Sequence, residues 1–292
     1  MIYHVRHLST LTYDSAVDEA RFNIRLKPIE SPRQRLLNYR LSVTPLPHRR
    51  RERFGPYPVN TTRLEIDAPL GELSVLSEFS VEVFTPPPLG ATSPTIAHVR
   101  RAAVDLADLG MFAPAAYLFS SRLATIEREI GVWAAPYLDP GAAIVPSILA
   151  LSSALHAQFA YRPGATDTDT PPIEAFRARH GVCQDFAHIL IVGLRAHGIP
   201  AAYLAGYIRT VPPPGMPRLI GADAMHAWVN VWCGPDLGWI AIDPTNDRVA
   251  DEDYVVVAMG RDYADVSPVD GVYLGSPRQT TRVEVDMMPQ DL

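Results

Sequence analysis

The sequence predicts an α+β protein: an antiparallel β-rich region first, helices in the middle, and then a helix laid on a second antiparallel sheet. Three observations carry that expectation. Residues 1–85 consist of β-branched and aromatic runs separated by Pro, Gly and Asn; residues 182–194 repeat apolar side chains at helical spacing; residues 201–243 return to short runs of strand character. A chain of 292 residues suggests about two domains. The pattern divides it into a β-rich domain over 1–90, a helical connecting region over 91–150, and a second domain with C-terminal strands over 151–292.

Five strands are expected in the first region: "YHVRHLSTLTY", "RFNIRLKPI", "LLNYRLSVTPL", "TTRLEI" and "LSVLSEFSVEVF". Their near-alternation suits a small sandwich or barrel with one buried face. The basic run "HRRRERFG" (48–55) falls in a connection and reads as a solvated hairpin tip. "TPPPLGATSP" (85–94) is a stiff, extended link. Helical stretches follow at 95–109 and 145–159, around a middle broken by prolines, and 173–178 forms one more short helix ended by Gly181.

From 182 onward two apolar series run at helical spacing: Val182, Phe186, Ile189, Val192, and Cys183, Ala187, Leu190, Leu194. A helix apolar around most of its circumference belongs in a core. Gly198 followed by Pro200 stops it. "AAYLAGYIR" (201–209) is then a strand, followed by a loop containing "PPPGMP" and two further strands, "AMHAWVNVW" (224–232) and "GWIAID" (238–243).

Composition narrows the function classes. Hydrophobic residues make up 47% and charged residues 20%, as in ordinary globular proteins. A net charge of −6 argues against a nucleic-acid partner held through broad phosphate neutralisation. Two cysteines, Cys183 and Cys233, are too few for a disulfide framework and suit a reducing compartment. "MIYHVRHLSTLTYD" lacks the apolar stretch of a secretion signal, and no run of ~20 apolar residues could span a membrane. A cytoplasmic protein without membrane or nucleic-acid partners is expected.

Cys183 is placed for chemistry. In the first turn of a helix, unpaired N–H groups and the helix dipole favour a thiolate. Along 224–232, His226 shares a strand face with Trp228 and Asn230; along 238–243, Asp243 shares one with Trp239 and Ala241. A four-residue loop, Cys233–Asp236, would set His226 directly opposite Asp243; a five-residue loop would turn Asp243 to the wrong face. Together the three supply what acyl transfer through a thiol needs: a nucleophile (Cys183), a general acid–base (His226) and a carboxylate that holds the ring tautomer (Asp243).

The Cys183 N–H is a natural oxyanion donor. Gln184, or a group in "FAYRPG" (159–164), which contains Tyr161, would supply a second; Gln184, Tyr161 and Trp228 are the candidate substrate-binding residues, with Trp228 either shielding the Cys–His pair or simply packing. Asp185 caps the helix or assists the site, and His188 makes an internal hydrogen bond. Asn246 and Asp247 fix the turn after Asp243 or touch the site. His180, Cys183, His188 and His226 match no common zinc spacing, and "DTDTPP" (167–172) lacks the Gly and terminal Glu of an EF-hand loop, so neither metal nor cofactor is expected.

"GVCQDFAHILIVGLRAHGIPAAYLAGY", "HAWVNVW" and "GWIAIDPTND" resemble the transglutaminase-like superfamily of papain-like cysteine amidases, whose triad runs Cys, His, Asp along the chain. "DPTN" and "VAMGRDYADVSPVDGVYLG" (257–275) resemble a bacterial branch of it that carries a β-rich N-terminal region. The resemblance implies a papain-like catalytic core with Cys183, His226 and Asp243 as triad, acting through a thioester on a peptide or protein amide. It leaves open a protease or peptide amidase, a glutamine–lysine cross-linking enzyme, and a non-catalytic interaction module on the same fold.

Overall fold

The computed structural model describes residues 1–89, 92–210 and 223–290. Six strands come first: β1 (Ile2–Val17), β2 (Ala20–Ile24), β3 (Gln34–Thr44), β4 (Arg49–Phe54), β5 (Asn60–Ile66) and β6 (Leu70–Val83). Then come α1 (Ile96–Asp105), α2 (Arg128–Ala134), α3 (Ile144–Gln158), β7 (Ala160–Tyr161), α4 (Pro172–Ala178), β8 (His180–Gly181) and α5 (Cys183–Ala196). The chain closes with β9 (Ala201–Ile208), β10 (Met225–Trp232), β11 (Trp239–Asp243), β12 (Arg248–Val249), β13 (Tyr254–Gly260), α6 (Tyr263–Val266), β14 (Val269–Tyr273) and β15 (Gln279–Gln290). The predicted "PPPGMP" loop lies outside the described residues.

The α+β expectation holds, and of sandwich and barrel the structure adopts the sandwich. Two antiparallel four-stranded sheets, ordered β15-β1-β6-β3 and β14-β2-β5-β4, enclose a core of Leu11, Phe22, Ile24, Leu64, Leu73 and Val75. Alternation in β1 buries every second side chain, which is what commits it to one face of a core.

Two features depart from the sequence reading. "RRRERF" is not a hairpin tip but strand β4, paired with β5 from Arg49↔Glu65 to Phe54↔Asn60. All six of its residues are exposed, so no buried face produces the apolar alternation by which strands are recognised; charge on an edge strand also blocks stray pairing. The last two strands, grouped by the sequence with residues 151–292, run back into the sandwich, where β14 pairs β2 and β15 pairs β1.

The second half centres on α5, buried from Gln184 to Arg195. It lies on a five-stranded sheet ordered β12-β11-β10-β9-β13. Leu190 and Leu194 of α5, Ala227 and Val229 of β10, and Tyr3 and Phe79 of the sandwich share one continuous apolar cluster, so the two halves fold around a common core. The Arg195 guanidinium ties the far end of α5 to its surroundings, donating to the carbonyls of Tyr117, Phe119, Ala201 and Arg261.

Gly206 sets how closely β9, β10 and β13 approach. A Cβ there would lie 1.9 Å from the Val255 carbonyl oxygen and 2.8 Å from Trp228 Cη2. Neither the backbone nor a fully buried indole can yield that space. Gly206→Ala is therefore expected to lower stability by about 3 kcal/mol or more, read as a fall in the urea midpoint; an unchanged midpoint would contradict this packing.

Candidate active site

Cys183 opens α5, half-exposed at the helix start. Two short elements bring it there. β7 and β8 pair in parallel, Tyr161 beside Gly181, so the chain leaving α3 lies along the segment that enters α5. Asp185 then reaches back across the first turn, its Oδ2 accepting from the Val182 N–H (2.7 Å) and the Thr166 hydroxyl (2.6 Å). Of its two sequence readings, the structure supports the cap. Burial raises the Asp185 pKa, against the pull of these bonds. Gly181 makes room for it, since a Cβ there would sit 2.5 Å from Asp185 Oδ2. The first intrahelical bond runs from Phe186 N–H to the Val182 carbonyl, so no turn of α5 precedes the Cys183 N–H to supply it with a carbonyl.

The His226 imidazole lies near enough to the Cys183 side chain for the thiol to help raise its pKa and, through Nε2, donates to Asp243 Oδ2 at 2.8 Å. An ionised carboxylate has no proton to give, which makes Nε2 the donor and leaves Nδ1 for the thiol. Asp243 is fully buried and heavily bonded: Oδ1 accepts from the N–H groups of Thr245 and Asn246, Oδ2 from Asn246 Nδ2 (2.7 Å) and the Tyr254 hydroxyl (2.7 Å) as well as from His226. Burial alone would raise its pKa, but the His226 bond and charge, with Asn246 and Tyr254, hold it below the ordinary carboxylate value. Burial likewise opposes charge on His226, and is overcome by its interactions with Asp243 and Cys183, which lift the imidazole from 6.5 to about 10.

The sequence expectation that His226 lies directly opposite Asp243 is corrected. Trp232 pairs with Trp239 and Val229 with Ile242, so the loop holds six residues rather than four. The longer turn is closed by two bonds, Cys233 N–H to the Gly238 carbonyl and Gly238 N–H to the Gly234 carbonyl. Because strand side chains repeat every two residues, a shift of two keeps Asp243 on the same face and moves His226 to a diagonal neighbour.

The candidate substrate-binding residues separate. Tyr161 is 53% exposed beside the thiol, its hydroxyl pKa raised by partial burial and then by Cys183. The Gln184 side-chain amide is tied to the Thr168 carbonyl at 2.7 Å, anchoring the 166–170 loop. Trp228 is fully buried and stacks on His226, ring centroids 6.0 Å apart and 17° between planes; it backs the imidazole and offers no surface to a substrate. Asn246 reaches the site, whereas Asp247 turns away to accept from Ser153. His188 is buried, accepts from the Tyr263 N–H, and is held neutral by burial, its pKa lowered to about 4. The hydroxyl of Tyr254 is a site contact the sequence reading did not contain. It comes from β13, which lies beside β9 with two strands between it and β11, and only the tertiary fold brings it to Asp243.

The pair's pH response follows from these shifts. A raised imidazole pKa stabilises the fold fully below 6.5, and that stabilisation is lost as pH climbs through about 10; the depressed Asp243 contributes above 3.8 and loses it as pH falls below. The stability gap between wild type and His226→Gln is therefore expected to be widest between these values and to shrink steadily above pH 6.5. Urea titrations at fixed ionic strength measure it; a gap that widens with alkalinity would mean the imidazole is neutral.

Comparison with known proteins adds the following. Residues 137–244 match a family model described as the transglutaminase-like superfamily, and residues 3–82 match the bacterial transglutaminase-like N-terminal region. An uncharacterized Mycobacterium tuberculosis protein is 36% identical over 291 residues, covering 98% of this chain and 92% of its own. A Pseudomonas aeruginosa protein-glutamine gamma-glutamyltransferase is 40% identical over 93 residues, 31% of this chain and 14% of that protein. The crystal structure of a candidate cysteine protease from Cytophaga hutchinsonii superposes with a TM-score of 0.74 at 24% identity, covering 100% of this chain and 93% of that one, and so shares its fold.

Proposed function

The chain belongs to the transglutaminase-like superfamily, and from that premise we propose that it is a cysteine-dependent amidase that hydrolyses peptide or protein amides. One observation carries the reading: the His226 imidazole, bonded at 2.8 Å to a buried carboxylate, lies beside the thiol at the first residue of α5. The Cys183 sulfur attacks the amide carbon, its proton held on His226 Nδ1, and the carbonyl electrons move to an oxyanion that the Cys183 N–H meets. The oxyanion collapses, the C–N bond breaks, and Nδ1 gives its proton to the departing amine. Water then adds to the thioester as His226 takes its proton, releasing the acid and the thiol. Asp243 holds Nε2–H and with it the tautomer throughout. Tyr161 flanks the nucleophile as a substrate contact. We assign the cytoplasm as its setting, on the two free cysteines; among the described residues no helix is long and apolar enough to cross a membrane.

A second reading, in which an amine rather than water resolves the thioester, is favoured by the similarity of one segment to the Pseudomonas glutamyltransferase. A peptide library incubated with the protein, oxygen-labelled water and a dansylated amine separates them by mass spectrometry. We expect labelled carboxylates as the main products. Dansylated products in excess would replace hydrolysis by transfer. No product at all, with Cys183 no more reactive towards iodoacetamide than a free-thiol peptide, would overturn both.

A further inference from the structure

The outward face of sheet β14-β2-β5-β4 carries a row of arginines that the catalytic reading does not use. Phe22, Ile24, Leu64 and Ile66 point into the sandwich core, so the alternate residues of β2, β5 and β4 point away from it. The register sets Asp270, Asn23, Arg63 and Arg51 side by side across four strands, and Arg21, Glu65 and Arg49 in the next row. The carboxylates there are already engaged: Glu65 with Arg49, Asp67 with Arg21, and Asp270 with Arg25 and Asn23. Arg51 and Arg63 stand directly opposite one another, and neither has a carboxylate partner among the described residues. Like charges so paired cost stability, a cost an anion lying between them would remove.

This face runs into a cleft of about 640 Å³ between the sheet, α6 and the 166–170 loop. Arg21, Arg63 and Arg122 line it, and Arg122 too has no carboxylate partner among the described residues. Asp169, on the loop side, and Asp270, paired with Arg25, are the acidic groups of its lining. The neighbouring Thr168 carbonyl holds Gln184, the residue after Cys183, so the cleft adjoins the start of α5. We propose that the Arg51–Arg63 pair and the Arg122-lined cleft form a docking site for an acidic polypeptide segment of the substrate. This rests on the amidase reading only in making the bound segment part of a substrate.

Local charge must do this, because the chain as a whole carries −6 and repels polyanions at distance; screening confines each field to roughly 8–10 Å at physiological salt. Guanidinium groups suit the task, since each can grip a carboxylate with two parallel bonds.

The test measures binding without turnover. Fluorescence anisotropy of a labelled oligo-glutamate peptide on the Cys183→Ala chain should report binding that weakens with added salt, with oligo-lysine unbound. Arg63→Ser with Arg122→Ser should weaken it about tenfold or more, and Asp169→Asn should tighten it. Arg35→Ser, on the other sheet and paired with Glu82, should leave it unchanged. Equal binding by the double variant, or displacement of the peptide by a single-stranded oligonucleotide at lower concentration, would overturn the proposal. No docking by the Cys183→Ala chain beside turnover by the wild type defeats this site alone; docking as expected with no turnover by the wild type defeats the amidase reading alone.

Discussion

Cys183→Ala is expected to lower kcat about 10,000-fold or more while leaving the melting temperature almost unchanged. The size of the loss comes from the chemistry: without sulfur no thioester forms, and what remains is the catalysis that oxyanion donation and substrate binding give to water alone. The small effect on stability comes from position. Cys183 is half-exposed, at a helix start capped by Asp185 and not by the thiol, so its removal should cost no more than about 1 kcal/mol. Single-turnover kinetics on a hydrolysed peptide and a thermal melt decide the matter. A variant that retains the wild-type rate would remove the thiol from the mechanism.

Asp243→Ala should fail on both counts. The carboxylate is fully buried and is the common acceptor for His226, Tyr254, Asn246 and Thr245. Its loss strands five donors around a cavity, at a cost of about 3–5 kcal/mol in unfolding free energy. It also frees the imidazole to take the wrong tautomer, which for a triad of this kind costs about 10,000-fold in kcat. Asp243→Asn separates the two effects. It fills the space and keeps an acceptor for part of the network, so stability should recover more than activity, measured by urea unfolding beside the initial rate. Full activity with reduced stability would make Asp243 a purely structural residue.

The order of those outcomes reflects how the site is supported. Asp243 lies at the meeting point of β11, the turn after it and β13, whereas Cys183 is held by the first turn of its own helix. Trp228, two residues along β10, stacks on His226, and Tyr254 of β13 bonds Asp243 beside it, so the site is held both by its own strand and by one distant in sequence.

The amino-acid sequence by itself determined what is local. Helical repeats of apolar residues placed α5 and put Cys183 at its start; alternation placed most of the strands; residue type and strand parity selected His226 and Asp243. These signals survive because helix and strand periods act over a few neighbouring residues. Only the tertiary structure decided which strand lies beside which. It lengthened the β10–β11 turn by two residues, brought Tyr254 from β13 to Asp243, returned β14 and β15 to the sandwich, and turned a run of arginines into an edge strand. Pairing across the chain is set by which apolar faces share a core once the loops have closed, and that sum is written in no single stretch.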